Sequence, residues 1–236
     1  MSGHSKWASI KHQKAVTDKK RSNVFTKLAN NISVAARGGA DPEMNYSLRL
    51  AIEKAKQANM PKDNIERAIK RGTGELGGAA ISEDLFEIYG PAQTAILVEA
   101  ITDNKNRTSA EIKAVLNKLS GKLASANAVS YLFDRRGEIK VGIVGQVKEE
   151  LELKIIESGA DDYQEIDDGY LIYCKPNELK QVVDHLNNSG LKIESSELVW
   201  LPKETIELNE EDSSRVVKLL EALDDLGDVK EVYTNA

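Results

Sequence analysis

Cysteine occurs once in this chain, as Cys174, and histidine three times; five prolines and twelve aromatic residues (three Phe, two Trp, seven Tyr) complete the scarce types among 236 residues. A single cysteine excludes an intramolecular disulfide and points to a reducing compartment. Cys174 lies in the apolar run Tyr170–Cys174, the setting of a buried, inert thiol rather than a nucleophile. With few aromatics, a stacking platform of the single-strand-binding kind has little to draw on. No apolar run approaches the roughly 18 residues that span a bilayer. The polar, basic stretch Met1–Lys20 has no apolar segment of the secretory kind. A cytoplasmic protein with no membrane partner is expected.

Patterns of catalysis are missing as well. There is no phosphate loop ending in Gly-Lys-Ser/Thr, no Gly-x-Ser-x-Gly elbow and no Cys-x-x-Cys. His4 and His12 fall in the basic amino-terminal stretch, and His185 falls inside a helical pattern as a surface residue, so no His-based metal set forms. Gly72-Thr73-Gly74-Glu75-Leu76-Gly77 matches G-x-G-x-x-G. A dinucleotide site needs a strand before that motif and a helix after it; here a helical pattern precedes and a strand pattern follows, so the glycines read as a linker. The neighbouring carboxylates Asp161-Asp162, Asp167-Asp168 and Asp224-Asp225 point apart on any regular backbone and read as solvated turns. The chain is expected to be no enzyme and to need no cofactor or metal.

What the chain does have is a charge split. Met1–Thr73 carries fifteen Lys and Arg against six Asp and Glu, a net +9; the remainder carries seventeen against thirty-two, a net −15. A basic module on an acidic body suits a protein that binds a polyanion, because cations displace counterions from phosphates while the negative body limits non-specific adhesion.

The basic region divides in two. Residues 1–21 read as an arm in which Lys6, Lys11, Lys14, Lys19, Lys20 and Arg21 are spaced among small and polar residues. Trp7 lies among them, where it either pins the arm onto the helices or stacks on a base. Residues 22–75 read as three helices. The first begins at Asn23, with Phe25, Leu28, Ile32 and Ala35 inward, and stops at Gly38-Gly39. The second carries Leu48, Ile52 and Ala55. The third starts at Pro61, carries Ile65, Ala68 and Ile69, and ends at Gly72. Lys27, Arg37, Lys54, Lys56, Lys62, Arg67, Lys70 and Arg71 face outward.

Beyond the linker, Leu85–Tyr89 and Thr94–Ile101 read as strands joined at Gly90-Pro91. Thr108 and Glu111 form a capping box for a helix bearing Ile112, Val115, Leu116 and Leu119. Ala128–Phe133 reads as a strand and Arg136-Gly137 as a turn. Then come strand Glu138–Ile143, helix Gly145–Ser158, a hairpin of Asp161–Ile166 with Tyr170–Cys174, helix Asn177–Asn188 and strand Leu191–Leu201, the β-α-β-β-α-β order of a ferredoxin-like unit. The tail adds strand Glu204–Leu208, helix Glu211–Leu226 and strand Val229–Tyr233. The expected fold is α+β: an N-terminal three-helix domain (22–75) followed by two α/β domains, the third (137–202) ferredoxin-like and inserted in the second (76–136 with 203–236).

Two segments carry functional signal. One is the arm, where Gly3-His4-Ser5 gives small hydrogen-bonding groups beside Trp7. The other is Thr102-Asp103-Asn104-Lys105-Asn106-Arg107-Thr108, at a strand-to-helix junction. Arg107 beside a helix amino terminus suits an anion contact; Asp103 alternatively orients Arg107 by an ion pair.

These segments make the chain resemble the YebC family, a widespread family of bacterial regulators whose mitochondrial members are translational activators of a cytochrome oxidase subunit. The matching text is Gly3-His4-Ser5-Lys6-Trp7, Ile10-Lys11-His12, Asp18 to Arg21, Phe25-Thr26-Lys27-Leu28, Ala35-Ala36-Arg37-Gly38-Gly39, Asn59-Met60-Pro61-Lys62-Asp63-Asn64-Ile65, Tyr89-Gly90-Pro91 and Thr102 to Thr108. After Gly137 the likeness rests on topology. The resemblance implies a helical domain followed by two α/β domains, in a non-enzyme that controls gene expression, described in some members as DNA-binding transcriptional regulation and in others as ribosome-associated relief of stalling. The chain departs from the family where Ala92-Gln93 stands in place of the usual Gly-Gly, and where Ser120-Gly121-Lys122-Leu123-Ala124 lacks glycines found in other members.

Three functions remain open on the sequence. The leading one is a nucleic-acid-binding regulator of gene expression, a DNA-binding transcriptional regulator. Its nearest rival binds ribosomal RNA as a translation factor, and a third is a ferredoxin-like ligand sensor or assembly module. For the nucleic-acid readings, Lys6, Lys11, Lys14, Lys19, Lys20, Arg21, Lys27 and Arg37 are the expected backbone contacts, His4 and Trp7 the base or ribose contacts, and His12 and Arg107 further contacts. A monomer is expected.

Overall fold

The computed structural model describes residues 18–77, 80–142, 148–166 and 169–236. Apolar residues at steps of three and four fold the first segment into α1 (Asp18–Ala36), α2 (Tyr46–Gln57) and α3 (Lys62–Gly72). Helix α1 is already helical at Asp18, earlier than the expected Asn23, because no Gly or Pro interrupts the run. Lys19, Lys20 and Arg21 therefore lie on its first turns, where an arm was expected. Asn45 caps α2, accepting from Leu48 N at 3.1 Å, and its Nδ2 donates to Ala35 O and Gly39 O, each at 2.8 Å. Ile32, Ala36, Leu48, Ile52, Ala55, Met60, Ile65 and Ala68 form the core. Helices α1 and α3 meet closely. Ser33 Oγ donates to Ala68 O at 2.8 Å, and a Cβ placed on Gly72 would lie 2.1 Å from Ser33 O. Gly72 thus permits the packing as well as ending the helix.

The chain continues through β1 (Ser82–Tyr89), β2 (Ala95–Thr102), α4 (Lys105–Lys118), β3 (Lys122–Leu123), β4 (Phe133–Gly142), α5 (Lys148–Glu157), β5 (Asp162–Ile166), β6 (Gly169–Cys174), α6 (Leu179–Asn188), β7 (Ile193–Pro202), α7 (Glu210–Asp224) and β8 (Val229–Thr234). It divides into two units: the chain up to Leu132 with Pro202–Ala236, and Phe133–Leu201.

In the first unit the strand order is β3-β1-β2-β8. The β1–β2 hairpin is antiparallel from Ser82 opposite Thr102 to Tyr89 opposite Ala95, and β8 pairs antiparallel with β2. The tail therefore completes the sheet begun at β1. Ile112 and Leu116 of α4 and Val216, Leu219, Leu220 and Leu223 of α7 pack on Phe86, Ile88, Ile96 and Val98. Each such burial contributes roughly 1.5–3 kcal/mol.

In the second unit the order is β5-β6-β4-β7, with α5 and α6 between strands in the β-α-β-β-α-β sequence. Ile139 faces Ile172 across the β4–β6 pair. Leu151, Ile155, Val182, Val183 and Leu186 supply the helical side of this unit's apolar interior. Cys174 is fully buried, and burial, followed by the nearby Asp161, pushes its thiol up to about 11.

Four local expectations are corrected. Ser130–Leu132 is a 3-10 turn rather than part of a strand, because the Glu87 carboxylate accepts from the N–H groups of Asn127 (2.6 Å), Val129 (2.7 Å) and Ser130 (2.8 Å) and so bends the backbone. Arg136-Gly137 lies within β4 rather than in a turn; a Cβ on Gly137 would meet Cys174 Sγ at 2.8 Å, so glycine serves close packing there. Residues 204–208 are not a strand, and Ile206 N donates to Asn235 O at 2.8 Å. The cap of α4 is Asn104, accepting from Arg107 N at 3.1 Å, because the Thr108 hydroxyl is taken up by Asp228.

Candidate nucleic-acid interface

The second signal segment, Thr102 to Thr108, sits in the first unit where α1, α3, the β2–α4 loop and the α7–β8 turn converge. Arg71 Nη2 of α3 donates to Asp103 Oδ2 at 2.7 Å, and its Nη1 donates to Asn30 Oδ1 at 3.1 Å. Asn30, buried on α1, donates from Nδ2 to Ile101 O at 3.1 Å. Asp103 Oδ1 lies 3.1 Å from Arg107 Nη2, which also meets Asp228 Oδ2 at 2.7 Å. The same Asp228 oxygen receives the Thr108 hydroxyl at 2.7 Å and the Thr102 hydroxyl at 3.2 Å. The hydrogen bond to Asp228 holds the Arg107 guanidinium more firmly protonated than usual. Nearby, Lys105 pairs with Asp84; burial opposes the charge on Asp84, but the Lys105 contact prevails and holds the carboxyl below its ordinary range.

This arrangement changes the standing of three expected contacts. Arg107 is engaged by two carboxylates, so the ion pair with Asp103 is present and an incoming anion has to compete with both. Lys27 meets Asp224 Oδ1 at 2.8 Å near the carboxyl end of α7, where Asn23 Nδ2 also donates to Asp225 O at 2.6 Å. Arg37 donates to Ile81 O and lies 3.7 Å from Glu83 Oε1. All three fasten the helical segment or the β2–α4 loop to the α/β part of the same unit. His4, Lys6, Trp7, Lys11, His12 and Lys14 lie outside the described residues.

The cations that remain free are others. Lys56, Arg67 and Lys70 are exposed, and none forms an ion pair among the described residues. Lys62 is drawn to Glu66 at 3.4 Å. Asn64, Arg67 and Arg71, at steps of three and four, share one face of α3. That spacing was the signal available in the sequence, where Arg67 and Lys70 stood only among outward-facing positions. The face borders a groove of about 720 Å³ lined by α1, α3 and the linker. Its floor is buried (Asn30, Ser33, Met60, Ala68), its sides are half-buried (Phe25, Ala29, Arg71) and its rim is exposed (Thr26, Asn64, Arg67, Leu76). Among the described residues no cluster of three or more His, Cys, Asp or Glu could hold a metal, and no helix is long and apolar enough to cross a membrane.

Mixed α+β architecture with a basic helical segment defines the class, and the comparisons define the family. Residues 5–75 match the family model for the TACO1/YebC protein N-terminal domain, and residues 81–236 match that for the TACO1/YebC second and third domain. The chain belongs to the TACO1/YebC family. It is 47% identical over 237 residues to a protein of Caldanaerobacter subterraneus subsp. tengcongensis named a probable transcriptional regulatory protein, covering 100% of this chain and 98% of that one. A relative of the same name from Aquifex aeolicus is also 47% identical over 237 residues, covering 100% of this chain and 95% of its own. The crystal structure of a conserved hypothetical protein from Aquifex aeolicus superposes with a TM-score of 0.85 at 46% identity, covering 98% of this chain and 96% of that chain.

Proposed function

We propose that this protein is a nucleic-acid-binding regulator of gene expression that acts without catalysis, with duplex DNA as its target. The observation that carries the reading is the charge split, +9 over Met1–Thr73 against −15 over the rest. Internal pairing refines it: Lys27, Arg37 and Arg107 are held by carboxylates or carbonyls, while Lys56, Arg67 and Lys70 on the helical segment form no ion pair among the described residues. The names of the relatives, probable transcriptional regulatory proteins, support a regulatory role. Phosphate contacts by exposed cations supply affinity without sequence information, so this reading assigns no base preference to the helices.

Ribosomal RNA is the second reading. An acidic body with one basic end suits a factor that presents that end to a large RNA. The deciding experiment runs the full chain in a gel shift with duplex DNA and in co-sedimentation with ribosomes, both at physiological salt. Retardation of duplex DNA at micromolar protein or below, without ribosome co-sedimentation, supports the first reading. Co-sedimentation without retardation replaces it with the second.

A further inference from the structure

We infer that the groove between α1 and α3 receives a single unpaired nucleotide of the bound nucleic acid, its base against Phe25 and Met60 and its phosphate at the Arg67 rim. The inference deepens the proposed function and rests on it.

Size admits this ligand. A volume of about 720 Å³ lies in the range of small-molecule sites, roughly 300–1,000 Å³, and cannot take a duplex. The lining is divided as a nucleotide is divided. Phe25, Ala29, Met60 and Ala68 offer an apolar surface with one aromatic ring, suited to the flat face of a base. Asn64 stands at the rim with a carboxamide that both donates and accepts, the complement of a base edge. Arg67 is exposed at the same rim and has no carboxylate partner among the described residues. It is therefore available to a phosphate as Arg71 is not.

The charge balance favours an anion. Arg67 and Arg71 contribute two positive charges, and the one carboxylate in the lining, Asp103, lies against both Arg71 (2.7 Å) and Arg107 (3.1 Å). The deep polar groups are already satisfied: Asn30 bridges Ile101 and Arg71, and Ser33 bonds Ala68 O. A base entering the groove thus displaces none of these buried hydrogen bonds, and its own polar edge is left to Asn64 at the rim. The walls are also pre-formed, since the contact of Gly72 with Ser33 fixes α1 against α3.

A base enters such a groove only if it leaves its stack, and an already unpaired base does so at least cost. The test compares two duplex probes, each made in DNA and in RNA: one fully paired, the other carrying one unpaired adenine. The full chain is titrated alongside Asn64→Ala and Arg67→Ala, both exposed positions, with thermal melting as the check on folding. The expected result is binding of the unpaired-adenine probe about tenfold tighter than the paired one, with that preference lost in both variants. Tenfold corresponds to about 1.4 kcal/mol, within what stacking of one base supplies. Equal affinity of the wild-type chain for both probes overturns the inference while leaving nucleic-acid binding intact, as does a preference that survives both substitutions. Failure to bind either probe in DNA or RNA overturns the proposed function together with the inference.

Discussion

Arg107 and Asp228 stand 121 positions apart in the chain and meet at 2.7 Å. Their contact joins the start of α4 to the turn before β8, and through Asp103 it reaches Arg71 on α3. A residue expected from the sequence to touch a phosphate is thereby a tie between parts of one unit.

That difference is measurable. Arg107→Ala is expected to lower stability by about 1 kcal/mol, since its guanidinium is partly exposed. Asp228→Ala is expected to cost roughly 1–3 kcal/mol, because it removes the one acceptor shared by Arg107 and the Thr102 and Thr108 hydroxyls. Urea denaturation of the full chain checks both. Neither substitution should change the salt dependence of nucleic-acid binding; a slope reduced by about one unit in Arg107→Ala would make Arg107 a phosphate contact after all.

Ala92 and Gln93 occupy φ values of 53° and 61°, a left-handed pair in the turn between β1 and β2. The turn is held around them: Gly90 N donates to Thr94 O at 2.8 Å, and the Thr94 hydroxyl donates to Pro91 O at 2.9 Å. A side chain in that region costs roughly 1–2 kcal/mol, partly offset by the chain entropy that glycine loses on folding. Ala92→Gly and Gln93→Gly are each expected to stabilise by about 0.5–1 kcal/mol, seen as a melting point raised by a few degrees in the double variant. Unchanged or lower melting points would show the turn to be unstrained.

Glu87 gives the fold a defined acid sensitivity. Burial acts to raise its pKa, but the three N–H groups of Asn127, Val129 and Ser130 outweigh burial and hold it below its ordinary 4.5. A carboxyl with a lower pKa folded than unfolded stabilises fully above the unfolded value, and loses that contribution as pH falls through the folded one. Glu87→Gln should cost about 1–3 kcal/mol at pH 7 and narrow its gap to wild type as pH drops below about 4.5. Denaturant midpoints from pH 7 to pH 3 read this directly. A gap that stays constant with pH would assign the loss to shape rather than charge.

Gly72→Ala is expected to be the most damaging single methyl in the helical segment. Its Cβ would lie 2.1 Å from Ser33 O and 2.8 Å from Ala36 Cβ, so α1 and α3 must separate. A cost of about 3 kcal/mol follows, at the upper end for overpacking. Gly39→Ala has open space around it and serves as the comparison, with strain from its φ of 134° but no clash.

The helices were legible because their burial follows periodicity: Leu48, Ile52 and Ala55 are the buried residues of α2, as their spacing implies. The β1–β2 hairpin was legible from Gly90-Pro91, and the last strand from Val229 onward. What periodicity missed was decided by partners distant in sequence. Val129, Tyr131 and Phe133 alternate like a strand, yet Glu87, some forty residues earlier, turns that backbone. Thr108 has the sequence of a cap, yet Asp228 claims its hydroxyl. The same holds for the site. Lys27 reads as a surface cation until Asp224 is brought to it, and Arg67 becomes distinct only when Lys62 and Arg71 on the same helix prove to be paired.

Counterion release tests the central claim most directly, that the basic end binds nucleic-acid backbone. The affinity of the full chain for a duplex is measured across a salt series, for the wild-type chain and for a variant with Lys11, Lys14, Lys19 and Lys20 all changed to Ala. Each phosphate contact contributes about 0.7–0.9 to the slope of log K against log salt, so a slope shallower by roughly 3–4 is expected. A variant whose slope equals that of the wild type would contradict the account.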